Sequence, residues 1–392
     1  MYKSFEVLSF NVDYKKHRVK VIKKLEHFDK APNKMIEAED SDSLDMSLLR
    51  LINHRSIPET RTGYAEIIKA TGFSSGFELS FQAHGLTLSD HYWYKREEEN
   101  LRYEDINFFT NKWDDSFARA VLNQDFEKLK HCNLNVPDIN TAGWGAKGWV
   151  CEEDGPKLYK LGINDNHSEE ALGEVLASQI AARLVGEKDV LKYELKKVGK
   201  RYASVSPVMI NINEDLFPLS EFIDGRLYFL FRSRTVDKSK GQEFYEKIKN
   251  CAVPGLYEFF IKLACLRDLC FVSDLHFGNI SLIRNSETGQ TRIAPIYDLG
   301  GAFGSSRTGQ SMISNFNKST LILIYYLFSD LDSNWDYSWY DPDRLIGVED
   351  LIKETLSKSD FYTPELINCI IEVYSHQKEV LDQTAKNSIK NK

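Results

Sequence analysis

The chain has 392 residues, enough for two or three domains with a sizeable buried core. Its 42% hydrophobic and 28% charged residues are ordinary globular values, so neither a disordered nor a fibrous chain is in view. A formal net charge of -8 excludes a protein whose main task is gripping nucleic acid directly, because phosphate binding needs a basic face. The six cysteines (Cys132, Cys151, Cys251, Cys265, Cys270, Cys369) form no C-x-x-C pair, which points to a reducing compartment, with Cys265 and Cys270 in an apolar run that reads as core. The N-terminus lacks the charged-then-apolar layout of a secretory signal, and the longest apolar run, Leu321 to Phe328, is too short to cross a bilayer. A cytoplasmic protein that engages no membrane is the expectation.

Residues up to about 30 read as an antiparallel pair, YKSFEVLSFNV and RVKVIKKLE, around the turn Asp13 to Lys16. Helical patterns follow at Asp45 to Arg55, with Leu48, Leu49 and Ile52 on one face, at Thr62 to Lys69 before a Thr-Gly stop, and at SFARAVLNQDFEKLK. No metal spacing, nucleophile motif or repeat occurs here, and His54, His84 and His91 stand isolated. The segment reads as an accessory α/β domain, ending near Val136-Pro137.

From Gly143 the chain reads GWGAKGWV, a Gly-x-Gly-x-x-Gly at Gly143, Gly145 and Gly148. Glycines let backbone approach phosphate oxygens that a Cβ would hold off. A dinucleotide-binding loop would be followed by a helix; here a strand, a turn at Glu153 to Pro156 and a second strand, KLYKLGI, follow. On that strand Lys157 and Tyr159 share one face and Leu158 and Lys160 the other. Lys160 is the inward lysine that calls for an anion, while Lys157, nearer the turn, is expected in solvent. The next helix, SEEALGEVLASQIAARLV, carries Leu172, Val175, Leu176, Gln179 and Arg183 along one broad face, with Asn166 or Ser168 as its cap. A strand ends at Asp224-Gly225, a basic loop holds Arg232, Arg234, Lys238 and Lys240, and a helix from Leu256 to Leu269 then leads to Asp274.

The densest chemistry lies in VSDLHFGNISLIRNSETGQTRIAPIYDLGGAFG, Val272 to Gly304. Asp274, His276 and Asn279 precede a hairpin made of ISLIR and TRIAPIY, and Asp298 follows it. Phosphoryl transfer from ATP needs a carboxylate for the acceptor hydroxyl, an amide oxygen on a metal ion and a second carboxylate on the metals. Asp274, Asn279 and Asp298 supply these groups in that order.

The catalytic-loop pattern Asp-Leu-x-x-x-Asn is met at Asp274-Leu275 and Asn279, and Asp298-Leu299-Gly300 is similar to a metal-binding Asp-Phe-Gly. Val272-Ser273 stand where His-Arg is usual, and no Ala-Pro-Glu follows, so the pattern departs from eukaryotic-type kinases. Asp-x-His-x-x-Asn, a hairpin and Tyr-Asp resembles the HipA-like serine/threonine kinases, whose core is shared with the phosphoinositide kinases. The resemblance covers roughly residues 140 to 330. It implies an α+β, bilobal protein kinase-like fold: an accessory domain over 1–136, a β-rich N-lobe over 137–224 and a helical C-lobe over 225–392, with ATP in the cleft between the lobes.

The same resemblance implies the roles. Gly143, Gly145, Lys147 and Gly148 cover the phosphates; Lys160 grips them, paired with Glu174 or, one turn earlier, Glu170; and Glu221, Phe222 and Ile223 form the adenine hinge. Asn279 and Asp298 hold Mg²⁺, Asp274 orients the acceptor and His276 steadies its loop. A protein Ser or Thr is the implied acceptor, and an antitoxin-like protein the implied partner. HipA-like kinases commonly carry a regulatory serine in the phosphate loop; this loop has none, with only Thr141 at its edge. A lipid or small-alcohol kinase of the same fold and a nucleotide-binding regulatory module acting through a protein partner remain as alternatives.

Overall fold

The computed structural model describes residues 1–162, 168–221, 246, 248–249, 253–273, 275, 277–305 and 333–390. In β1 (Leu8–Asp13) the half-buried Leu8, Phe10 and Val12 alternate with exposed polar residues, and the strand pairs antiparallel with β2 (Arg18–Lys24), as the pattern predicts. Helix α1 (Ser41–Asn53) begins earlier than the expected Asp45, because Asp40 accepts from the Ser43 N–H at 2.7 Å while Ser43 Oγ accepts from the Asp40 N–H at 3.1 Å. That reciprocal cap satisfies two orphan donors and fixes the start. Helix α2 (Tyr64–Thr71) stops at Gly72, whose φ of 77° is cheap only for glycine. SFARAVLNQDFEKLK is not one helix: α3 (Ser116–Leu122) ends before Gln124, at φ 57°, and a 3-10 stretch Phe126–His131 follows.

Two further antiparallel pairs follow, β3 (Lys147–Glu152) with β4 (Gly155–Lys160), and β5 (Glu194–Val198) with β6 (Arg201–Pro207). Between these pairs lies α4 (Glu169–Val185), and β7 (Glu214–Pro218) comes later. The expected Leu256 to Leu269 helix is α5 (Leu256–Cys270); the expected hairpin is β8 (Ser281–Asn285) with β9 (Thr291–Ile293); α6 (Val348–Leu356) and α7 (Pro364–Lys390) close the chain.

The elements form two compact units, neither of them a single run of chain. The first holds Met1–Ile163, Val208–Phe217 and Arg284–Gln290; the second holds Asn164–Pro207, Pro218–Ile283 and Thr291–Lys392. Ile67, Leu79, Trp93, Phe117, Val121 and Ile139 centre one core of the first unit, and Val19, Leu48, Ile52 and Tyr94 a second. Polar bonds hold its distant segments. The Tyr2 hydroxyl donates to Asp215 Oδ2 at 2.6 Å, the His91 N–H donates to Asp215 Oδ1 at 3.0 Å, and the Ser286 N–H donates to the Asn213 carbonyl at 2.8 Å. Burial raises the Asp215 carboxyl to about 6. His91, fully buried with Nδ1 2.7 Å from the Tyr103 hydroxyl, is a core imidazole that burial lowers to about 4.

In the second unit α4 is buried almost all round, not along one face. Leu172, Leu176, Ala177 and Ile180 are inaccessible, and only Gln179 and Arg183, expected on one broad face with Leu172, Val175 and Leu176, are exposed. Cys265 and Cys270 are core residues, as expected. Among the described residues no helix is long and apolar enough to cross a membrane.

Replacing Tyr2 by Phe withdraws the phenolic donor from a buried carboxylate. We expect a loss of about 1–3 kcal/mol in unfolding free energy, measured by urea denaturation.

Candidate functional site

The stretch from Ser273 to Gly301 is tied to itself at two places. On one side Ser273 donates through its N–H at 3.1 Å and its Oγ at 2.9 Å to the Gly301 carbonyl. On the other the Tyr297 hydroxyl donates to the Gly278 carbonyl at 3.2 Å and takes a 2.7 Å hydrogen bond from Ser281 Oγ. Asn279 lies in the 3-10 turn Phe277–Asn279, beside Gly278, and Asp298 follows Tyr297, so the chain positions carrying this amide and this carboxylate are drawn together. Asp298 has φ 56°, a left-handed conformation that Asp adopts more readily than most side-chain-bearing residues, and its N–H donates to the Tyr193 hydroxyl at 3.1 Å.

Asp274 and His276 lie outside the described residues, as do Phe222 and Ile223 of the expected hinge. Glu221 ends the 3-10 turn Leu219–Glu221, and the Leu219 N–H donates to the Ile280 carbonyl at 2.7 Å. Among the described residues no group of three or more His, Cys, Asp and Glu gathers as a metal cluster. Oxygen atoms such as those of the Asn279 and Asp298 side chains, expected from the sequence as metal ligands, are the hard kind of ligand that magnesium takes.

Helix α4 packs directly on this stretch. A Cβ on Gly173 would lie 2.9 Å from both the Ala302 carbonyl oxygen and Ser305 Oγ, so glycine is what lets the helix approach the turn after Asp298. Glu174, the next residue, is 1% exposed and accepts a hydrogen bond from Ser204 Oγ of β6. Glu170 is half-buried. Ser168 occupies the N-cap position, but its hydroxyl does not cap: Oγ accepts from the Tyr202 N–H at 2.7 Å.

In the first unit the glycine-rich segment precedes β3, and the ladder continues through the Leu161 N–H to the Ala146 carbonyl at 2.9 Å. Two of its glycines have internal reasons to be glycine. A Cβ on Gly145 would sit 2.9 Å from the Gly162 backbone, and one on Gly148 would meet Ala118 Cβ at 2.7 Å and Asp138 Oδ1 at 3.1 Å. Gly143 has φ 109°, and the Lys147 ammonium lies against it.

The register sets Lys147 directly opposite Lys160 and Trp149 opposite Leu158 on one face. Lys157 corrects the expectation of a solvated lysine: it is 8% exposed, with Nζ 3.3 Å from Glu152 Oε2 and 3.0 Å from Asp154 Oδ2. It shares its face with Tyr159, whose hydroxyl donates to the same Glu152.

The outward N–H groups of β3 are closed by carboxylates that sequence reasoning missed. Trp149 donates to Asp138 Oδ1 at 2.8 Å and Cys151 to Asp115 Oδ2 at 3.0 Å. Asp138 is 3% exposed, its Oδ2 has no hydrogen-bond partner among the described residues, and burial raises its carboxyl to about 7 against the pull of the Trp149 N–H and Arg61. Arg61, also missed, is 4% exposed; burial lowers its guanidinium to about 10 and Asp138 opposes that shift. No local pattern marks either residue, since both work on chain far from their own elements.

No protein-family model matches the chain, and no curated protein matches it. Among solved structures it is similar to the proinflammatory kinase CtkA of Helicobacter pylori, at 16% identity over 63% of this chain and 92% of that one, with a TM-score of 0.45. It is also similar to a chain of the Shewanella oneidensis MR-1 toxin–antitoxin complex of HipA, HipB and operator DNA, at 11% identity over 99% of this chain and 96% of that one, with a TM-score of 0.49.

Asp138 supplies a pH test of the first unit. Its folded value lies above the ordinary 3.8, so its contribution to stability is complete below about 4 and is lost as pH rises through about 7. Asp138→Asn keeps an acceptor for Trp149 and removes the ionisation. The difference in unfolding free energy between variant and wild type should therefore grow in the variant's favour from pH 4 to 8, by about 1–4 kcal/mol, measured by urea denaturation across that range.

Proposed function

We propose that this chain is an ATP-dependent phosphotransferase of the HipA-like kind, moving the γ-phosphate of ATP to a Ser or Thr hydroxyl of a protein with Mg²⁺. The observation that carries the reading is the double closure of the Asp274-to-Asp298 stretch, at Ser273–Gly301 and at Gly278–Tyr297–Ser281. It supports a single locus for the amide of Asn279 and the carboxylate of Asp298, two of the groups that phosphoryl transfer requires, although a hairpin separates them in the chain.

In this reading Asn279 and Asp298 hold magnesium, which neutralises charge on the triphosphate when bound. Asp274 takes or orients the proton of the acceptor hydroxyl, and His276 steadies the loop around it. Lys147 and Lys160, register partners across β3 and β4, bind phosphate oxygens. Gly143, Gly145 and Gly148 give the loop its close backbone path, and Glu221, Phe222 and Ile223 bind adenine. Glu174 holds Lys160 in its phosphate-gripping position. The protein acceptor follows from the resemblance of Asp274, His276 and Asn279 to the family pattern, and a protein partner of antitoxin type belongs to the same proposal.

Two measurements test it. Mg-ATP at about 100 times its dissociation constant should stabilise the chain by roughly 2.7 kcal/mol, and ATP with a chelator should not; no metal-dependent rise in melting temperature would count heavily against the reading. With labelled ATP, label should enter protein and not lipid. Asp274→Ala should then cut turnover roughly 10²-fold or more while calorimetry finds ATP affinity retained. Equal loss of binding and turnover would remove Asp274 from its assigned role.

A further inference from the structure

Three carbonyl oxygens of the glycine-rich segment face one turn of the N-terminal region. Arg61 donates through Nε to the Gly143 carbonyl and through Nη2 to the Thr141 carbonyl, each at 2.5 Å, and the Thr62 N–H donates to the Trp144 carbonyl at 2.9 Å. The turn itself is closed, with the Arg61 N–H on the Pro58 carbonyl at 2.9 Å and the Tyr64 N–H on the Arg61 carbonyl at 3.0 Å. Arg61 is buried, so its fork is spent on protein and not on solvent.

A trans peptide is planar, and the C=O of one residue and the N–H of the next point in opposite directions. With no cis bonds among the described residues, holding the carbonyls of Thr141, Gly143 and Trp144 on residues 61 and 62 turns the N–H groups of Ala142, Trp144 and Gly145 the other way. Among the described residues none of those three N–H groups donates to a protein acceptor. Ala142 and Trp144 are exposed, Trp144 at 56%. Neighbouring amides left open in this fashion form a concavity for an anion.

We propose that Arg61 is the positioning residue of the phosphate loop: its guanidinium fixes two carbonyls inward and so presents the amides of Ala142, Trp144 and Gly145 to a phosphate group. The proposal rests on the kinase reading and adds to it a contribution from the N-terminal region. A lysine cannot replace this function, because a point charge does not hold two carbonyls in one plane as a guanidinium fork does.

The test compares wild type with Arg61→Lys, full chain, by calorimetry with Mg-ATP, with adenosine and with inorganic triphosphate. Affinity for Mg-ATP and triphosphate should fall about tenfold or more while adenosine affinity is unchanged. A variant that binds Mg-ATP as well as wild type, or one that loses adenosine and ATP equally, overturns the proposal. If the wild type binds neither Mg-ATP nor triphosphate, both this proposal and the kinase reading fall; triphosphate binding without ATP binding defeats only the kinase reading.

Should the variant not fold, hydrogen exchange on the unaltered protein decides. The amides of Ala142, Trp144 and Gly145 should exchange fast alone and slow with Mg-ATP or triphosphate, and amides that stay fast beside bound ligand contradict the assignment.

Discussion

The hydroxyl of Tyr297 is the joint on which the second unit's candidate chemistry depends. It can donate only one hydrogen, and that goes to the Gly278 carbonyl, so Ser281 must be its donor. This pair closes the hairpin's base next to Asn279, while Ser273 and Gly301 make the second closure. Asp298 lies between the two closures in a left-handed conformation with its N–H held by Tyr193.

The first unit meets a related demand by other means. Its glycine-rich segment and edge strand carry backbone groups that would be left without partners, and side chains close them: Asp138 and Asp115 take the outward N–H groups of β3, and Arg61 takes the loop carbonyls. Acid oxygens accept from the N–H groups and the guanidinium donates to the carbonyls, and the Arg61 bonds are charge-assisted. The N-terminal region is thereby part of what shapes the loop. Its role is structural at the level of backbone direction and chemical only through the groups it leaves open.

Burial separates the three lysines of the β3–β4 hairpin. Lys157 is neutralised by Glu152 and Asp154. Lys147 and Lys160 sit opposite one another on the other face. An ammonium with two carboxylates beside it has its charge answered within the protein. The glycines divide in the same way: Gly145 and Gly148 are explained by contacts with Gly162, Ala118 and Asp138, so their spacing by itself says less about a ligand than the direction of the amides around them.

Local signals determined much of this protein from sequence alone. Alternation placed β1 and β2, the Asn285-to-Gln290 turn placed the β8–β9 hairpin, the Thr-Gly step ended α2, apolar spacing found α5 with its buried cysteines, and the order Asp274, Asn279, Asp298 came straight from the motif. All of these are properties of a few neighbouring residues, where period and turn chemistry act. Only the tertiary structure decided that Lys157 is buried, that the Ser168 hydroxyl serves Tyr202 instead of its own helix, that α4 is enclosed on nearly every side, and that two units interleave along the chain. Arg61 shows the reason most plainly: its partner Gly143 lies 82 positions away, and a hydrogen bond across such a span leaves no periodicity in the sequence to be read.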